Sequence, residues 1–298
     1  MAIISPVKRT FLCDDVYYPM GGLLKFKNLV TLGLGPDAKI NGSIKPLTTL
    51  RTLILRQNRC ITDKMLRPLT GIKSLSLISN DIITDESLKY LTNIVNLNLN
   101  DNQNITDLGL KYLTRLKKLN IDNNQNINGI SFKYLTNIQI LYMDDNNTIT
   151  DESIKYLTNL KSLSMLCVPE ISDDGIKNLT KMEQLYISNN ALVTDESIKN
   201  LTNITELRVE NIDNMTDTSL KYLTNLKSID IGYKMNICGR SLRIMTNLEF
   251  LSLEHNNRVC NNDLTELTKL TELYARNCYH LDSNIIAKRF PELALYIT

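Results

Sequence analysis

Ile94-Val95-Asn96-Leu97-Asn98-Leu99-Asn100-Asp101-Asn102 reads L-x-x-L-x-L-x-x-N. The phrase returns at Leu116–Asn124, Ile138–Asn146 and Met182–Asn190. Its centre alternates with period two. Leu97 and Leu99 therefore share one face, and Asn96, Asn98 and Asn100 the other, which is the pattern of a short half-buried strand. The closing Asn stands at positions 58, 80, 102, 124, 146, 190 and 256. Turned inward, its amide offers two donors and an acceptor to backbone groups where the chain leaves the strand. Left unpaired, each such group would cost about 1–3 kcal/mol.

Working outward, the first apolar residue of the phrase falls at Leu29, Leu50, Ile72, Ile94, Leu116, Ile138, Leu160, Met182, Ile204, Leu226, Leu248 and Leu270. The first step is 21 residues and each later one 22, giving twelve units over residues 26–289. One unit cannot bury its apolar face alone, whereas a stack of such units shares one core. Residues 1–25 fit no unit and are expected to cap the first end. Residues 290–298 are expected to close the other as a degenerate repeat. No break in composition divides the array, so one domain is expected.

The second half of each unit follows Ile83-Thr84-Asp85-Glu86-Ser87-Leu88-Lys89-Tyr90-Leu91-Thr92-Asn93. Thr84 is a good N-cap, and Asp85 and Glu86 place negative charge in the first turn of a short helix. Leu88 and Leu91 face the core. Asp85 and Lys89, spaced i, i+4, predict an ion pair, and the same spacing recurs at Asp107/Lys111, Asp151/Lys155, Asp173/Lys177, Asp195/Lys199 and Asp217/Lys221. The Thr-Asn step predicts a helix end with a left-handed Asn at Asn93 and its counterparts. Pro46 and Pro68 predict distorted helices in the first two units. Val168, Ile212 and Lys234 stand where the ladder Asn belongs, which predicts irregular backbone in units seven, nine and ten.

The 298 residues carry a formal charge of +2, so no global imbalance attracts nucleic acid or an anionic membrane. No apolar run is long enough to span a bilayer. The six cysteines form no C-x-x-C pair, and the N-terminus lacks a secretory pattern. Reduced thiols and a cytoplasmic location are therefore expected. His255 and His280 are the only histidines. No motif surrounds them or the nearby Cys260 and Cys278, so no catalytic residue, metal site or cofactor is expected, and the chain reads as non-enzymatic.

The phrase L-x-x-L-x-L-x-x-N resembles the leucine-rich repeat. The segment I-T-D-x-x-L-x-x-L is similar to the convex half of the cysteine-containing subclass found in F-box/LRR proteins. The unit is shorter than is usual for that subclass, and Asn replaces its cysteine except at Cys278. The resemblance implies an α/β solenoid curved like a horseshoe, with a parallel sheet on the concave side and short helices on the convex side. It also implies binding. A substrate-recognition subunit working with a separate F-box-like component of a ubiquitin ligase is one implied role, although the chain shows no F-box.

Outward strand positions are free of the core, so their chemistry carries the functional signal. Asp101, Asp122, Asp144, Asp145, Glu206, Glu210 and Glu254 are acidic, Arg208 and Arg276 basic, and Tyr142, Tyr186, Tyr233, Phe250 and Tyr274 aromatic. Aromatic residues and arginine are favoured interface anchors. The expected function is a monomeric scaffold binding a protein partner with a basic or mixed surface on this acidic, tyrosine-bearing face. A second candidate is the apolar stretch Leu166-Cys167-Val168-Pro169. A third is a convex stripe of Lys89, Lys111, Lys133, Lys155, Lys177, Lys199 and Lys221 beside Tyr90, Tyr112, Tyr134, Tyr156 and Tyr222. That stripe could bind nucleic acid. The Asp four residues before most of its lysines is expected to neutralise it, so nucleic acid is not expected as a partner.

Overall fold

The computed structural model of the chain describes residues 3–5, 10–13, 17–19, 28–232 and 237–297. The chain forms two compact units, Met1–Thr148 and Ile149–Thr298. In the first, strands Thr10–Cys13, Thr31–Leu34, Thr52–Ile54, Ser74–Ser76, Asn96–Asn98, Lys118–Asn120 and Ile140–Tyr142 pair in parallel. Ile3–Ser5 adds an antiparallel strand against Thr10–Cys13. The register aligns Leu32, Leu53, Leu75, Leu97, Leu119 and Leu141. In the second unit, parallel strands from Ser162–Leu166 to Ala294–Tyr296 align Leu163, Leu185, Leu207, Ile229, Leu251, Leu273 and Leu295. Aliphatic residues stacked across neighbouring strands are the core that one repeat lacks. Each leucine so buried contributes about 1.5–3 kcal/mol.

The helical side of each unit carries single turns. In the first unit they are the α-helical Asp63–Leu66, Asp85–Leu88 and Asp107–Leu110 and the 3-10 turn Phe132–Tyr134. In the second they are the α-helical Asp151–Ile154, Asp173–Ile176, Asp195–Ile198 and Asp217–Leu220 and the 3-10 turns Leu242–Ile244 and Asn261–Leu264. Both units thus show the expected leucine-rich-repeat architecture of parallel strands on one side and short helices on the other. We propose that residues 1–25 and 290–298 serve as its end caps. The strand Thr10–Cys13, with Phe11 fully buried, and the helix Ser283–Arg289 supply closing elements.

The Asn ladder works as a backbone clamp. Asn102 Nδ2 donates to the carbonyls of Leu77 at 3.1 Å and Asn80 at 2.8 Å, while its Oδ1 accepts from Asn104 N and Ile105 N, both at 3.0 Å. Among the described residues from Gln57 to Asn277, the one before each ladder position is left-handed, with φ of 48–61°. That kink turns the following side chain inward.

Several expectations are corrected. The left-handed residues lie at this kink and not at the Thr-Asn step. Asn93, Asn137, Asn203 and Asn225 instead form a second, exposed ladder. Each donates its Nδ2 to a Thr carbonyl of the preceding repeat at 2.8–3.0 Å. Units seven and nine are not irregular. Their strands, Ser162–Leu166 and Glu206–Glu210, run to five residues. Buried Val168 and Ile212 fill the ladder site with carbon, and Asn190 Nδ2 still reaches the Val168 carbonyl at 2.8 Å. The expectation at Lys234 lies outside the described residues. Residues 43–50 around Pro46 form no helix. Pro68 does not shorten Asp63–Leu66, because that turn ends before the proline is reached.

Candidate binding surfaces

On the sheet side of the first unit, Asp122 Oδ2 accepts from Asn120 Nδ2 at 2.7 Å and its Oδ1 from Asp144 N at 2.9 Å. Partial burial pushes the Asp122 carboxyl above the usual range, and the Asp144 charge adds to this against the pull of its hydrogen bonds. Lys118 Nζ stands 5.0 Å from the ring centroid of Tyr142. Asp101 and Asp145 are not strand residues. They occupy the left-handed kink, where Asp101 accepts from Asn123 Nδ2. Asp122 and Asp144 also lie past their strands, so the acidic residues of this unit gather at one edge of the sheet.

In the second unit, Gln184 Nε2 donates to Glu206 at 2.9 Å. The Arg208 guanidinium lies 5.5 Å from the Tyr186 ring and 3.4 Å from Asp230. Phe250, Tyr274 and Tyr296 form an aromatic run with centroids 5.5 and 4.3 Å apart. Burial, and then the neighbouring Tyr296 hydroxyl, push Tyr274 upward. A cavity of about 620 Å³ is lined by Glu210, Asp230, Phe250, Glu254, His255 and Tyr274, among others. Arg276 is exposed beyond its strand. Tyr233 lies outside the described residues.

The stretch at Leu166 is less open than expected. Leu166 and Cys167 are half-buried and Val168 fully buried. The described cysteines Cys60, Cys167, Cys238, Cys260 and Cys278 are free thiols. Cys278 donates to the Leu253 carbonyl at 2.8 Å, and burial raises its pKa, so it replaces the ladder Asn as a donor and is a poor nucleophile.

The helical side departs most from expectation. The aspartates four residues before the lysines do not pair with them. Asp85 accepts from Thr106 N at 2.9 Å and Thr106 Oγ1 at 2.6 Å. Asp107 accepts from Asn128 N and Ser131 N at 2.9 Å, and from Ser131 Oγ at 2.6 Å. Asp151, Asp173, Asp195 and Asp217 each bind the next repeat in the same way. The lysines are neutralised from three residues away instead, in Lys89–Glu86, Lys155–Glu152, Lys177–Asp174 and Lys199–Glu196. Hydrogen bonds donated to these carboxylates raise the pKa of each lysine. Lys111, Lys133 and Lys221 have no carboxylate partner among the described residues, since Leu108, Ile130 and Thr218 stand where that acid would be. Each of these three lies 5.0–5.1 Å from the ring of its own tyrosine neighbour.

No family model and no curated protein sequence matches the chain. Solved structures do. An internalin from Listeria monocytogenes matches at 24% identity and TM-score 0.73, over 98% of this chain and 86% of that one. Toll, solved in the Toll–Spatzle complex of Drosophila, matches at 18% identity and TM-score 0.63, over 86% of this chain and 42% of that one. TLR13, in complex with ssRNA13, matches at 17% identity and TM-score 0.62, over 84% of this chain and 43% of that one. The fold is a leucine-rich-repeat solenoid. These identities establish the fold and leave the cysteine-containing subclass unassigned.

Two expectations fall here. A solenoid of this fold is solved with single-stranded RNA, so the fold does not set nucleic acid aside. The cytoplasmic location is withdrawn, because the internalin, Toll and TLR13 are secreted proteins or receptor ectodomains. Among the described residues, no helix is long and apolar enough to cross a membrane.

Proposed function

We propose that the chain is a binding scaffold that holds a protein partner against its sheet-side residues. The carrying observation is that these side chains are not consumed by the fold. Arg208, Glu210 and Asp145 are exposed, and Tyr142, Tyr186 and Tyr274 are half-buried with one face outward. The aromatic run beside Glu210, Asp230 and Glu254 suits a partner with a basic or mixed surface. The contact residues are Asp101, Asp122, Tyr142, Asp144 and Asp145 in the first unit, and Tyr186, Glu206, Arg208, Glu210, Phe250, Glu254, Tyr274 and Arg276 in the second. Affinity capture from native cells tests this. Proteins held by the wild type should be lost on Asp144→Lys/Asp145→Lys or Glu210→Lys/Glu254→Lys. Retention of every captured protein by both variants would move the interface elsewhere. The ubiquitin-ligase role has no structural observation of its own.

A second reading, nucleic-acid binding through the helical-side Lys/Tyr stripe, is favoured by the diversion of the aspartates into the next repeat. Asp107 and Asp217 are bound to the next repeat rather than to Lys111 and Lys221, and Lys133 has Gly129 at that position. That TLR13 is solved with single-stranded RNA supports the same reading. Salt-dependent retention of oligonucleotides in a filter-binding assay is the expected result, and no retention at low salt would close this reading.

A further inference from the structure

We propose that the helical side of the first unit carries a site for single-stranded nucleic acid, centred on Lys111, Tyr112, Lys133 and Tyr134 and floored by Leu108 and Ile130. This rests on the second reading above and gives it a place and a strand preference.

The place follows from what each repeat does with the position three before its lysine. Glu86, Glu152, Asp174 and Glu196 neutralise their lysines there. Leu108 and Ile130 do not, and they occupy consecutive repeats. The acid in the same helical turn as Lys111 is Asp107, whose carboxylate is taken by Asn128 and Ser131. Lys133 has Gly129 at the corresponding position. Among the described residues, the lysines of these two consecutive repeats therefore have no counter-carboxylate. The comparable Lys221 in the second unit stands alone, because Lys199 is paired with Glu196 and the next repeat carries Arg243, which is bound to Asp263.

The ligand class follows from what surrounds the two charges. Tyr112 and Tyr134 are exposed, each 5.1 Å from its lysine. Leu108 and Ile130 are 65% and 67% exposed, where the repeats from Lys64 to Asn284 otherwise hold a charged or polar side chain. Each repeat thus offers one cation, one ring and one aliphatic side chain. A single strand offers one negative charge and one flat apolar base per nucleotide. A duplex hides its bases in the stack and would leave Leu108 and Ile130 wet. A purely acidic peptide would meet the lysines and leave the rings unused.

The test uses the full chain and fluorescein-labelled oligouridine, read by fluorescence anisotropy at low salt, with a duplex of equal length alongside. Leu108→Glu/Ile130→Glu installs the acid that other repeats carry at these exposed positions, so the fold is retained, as circular dichroism checks. Binding should weaken about tenfold or more, the loss of roughly one base contact. Thr218→Glu should leave it unchanged, and the duplex should bind more weakly than the single strand. Weakening by Thr218→Glu alone would overturn this placement while leaving the stripe reading intact. Equal affinity for duplex would overturn the strand preference. Absence of oligonucleotide binding by the wild type would overturn both readings. In that case, binding to phosphatidylserine vesicles lost in Leu108→Glu/Ile130→Glu would assign the patch to a membrane surface.

Discussion

The Thr106 hydroxyl donates to the Asp85 carboxylate at 2.6 Å, across a repeat boundary. The i, i+4 geometry of one helix makes Asp85 and Lys89 look like partners, yet Asp85 serves as a clamp on the N-cap of the next helical turn. Thr106 Oγ1 in turn accepts from Leu108 N at 3.1 Å, so one hydroxyl links the carboxylate of one repeat to the first turn of the next.

Asp85→Ala should destabilise the chain by about 2 kcal/mol, the scale of hydrogen bonds to a charged group. Lys89→Ala should leave the urea midpoint nearly unchanged, because its partner is the exposed Glu86. Urea denaturation of single and double variants checks this. Coupling should be found between Asp85 and Thr106, and none between Asp85 and Lys89.

Asn102→Ala removes four hydrogen bonds to buried or half-buried backbone. A loss of about 3 kcal/mol is expected, since carbonyls and amides with no access to water are left unpaired. Asn93→Ala strikes the exposed ladder, where water replaces the lost bond to Thr70, and should cost under about 1 kcal/mol. The difference in urea midpoints is the measurement.

The pH dependence should carry two opposite signatures. Asp173 feels an upward push from burial, but hydrogen bonds from Ser197 and Thr194 outweigh it and hold the carboxyl below 3.8. Its stabilisation is present above the unfolded pKa and is lost as pH falls through the folded one, so Asp173→Asn should flatten the acid limb of a stability curve. Asp122 is shifted upward, mainly by burial. Its ionisation opposes folding in full above the folded pKa, and the effect fades as pH falls through the folded value and is gone below the unfolded one. Asp122→Asn should therefore raise stability near neutral pH and leave it nearly unchanged well below pH 3.8, as denaturation at several pH values would show.

Ser162 Oγ is buried and has no hydrogen-bond partner among the described residues. Ser162→Ala should be neutral or stabilising by up to about 1 kcal/mol, because it removes a desolvated hydroxyl at little cost in packing. A rise in the thermal midpoint is the expected reading, and a marked fall would show that the hydroxyl has a partner.

Much of the architecture was legible in the amino-acid order alone. The two-residue alternation of Leu97 and Leu99 gave the strand, the 22-residue step gave the parallel stack, and the Asn at position 102 announced the clamp that the hydrogen bonds display. These features are local, or repeat at a fixed spacing, so a pattern in one dimension carries them. The inward kink before each ladder Asn was not legible. Gln57, Ser79, Asp101 and His255 share no side-chain chemistry that marks a left-handed residue, and the conformation is imposed by the stacked repeats on either side.

The candidate surfaces divide along the same line. Which residues face outward on a strand follows from parity, so Tyr142, Tyr186 and Tyr274 could be named from sequence. Which charges remain uncompensated could not. Asp107 and Lys111 are four residues apart in one helical turn, while Asp107 and Ser131 are 24 apart in sequence and in contact. Sequence determined the repeat, its strands and its buried ladder, because those depend on periodic burial of apolar area. Tertiary structure decided the partner of each carboxylate, because a hydrogen-bond acceptor goes to the nearest well-aligned donors. In a solenoid those donors belong to the next turn of the chain.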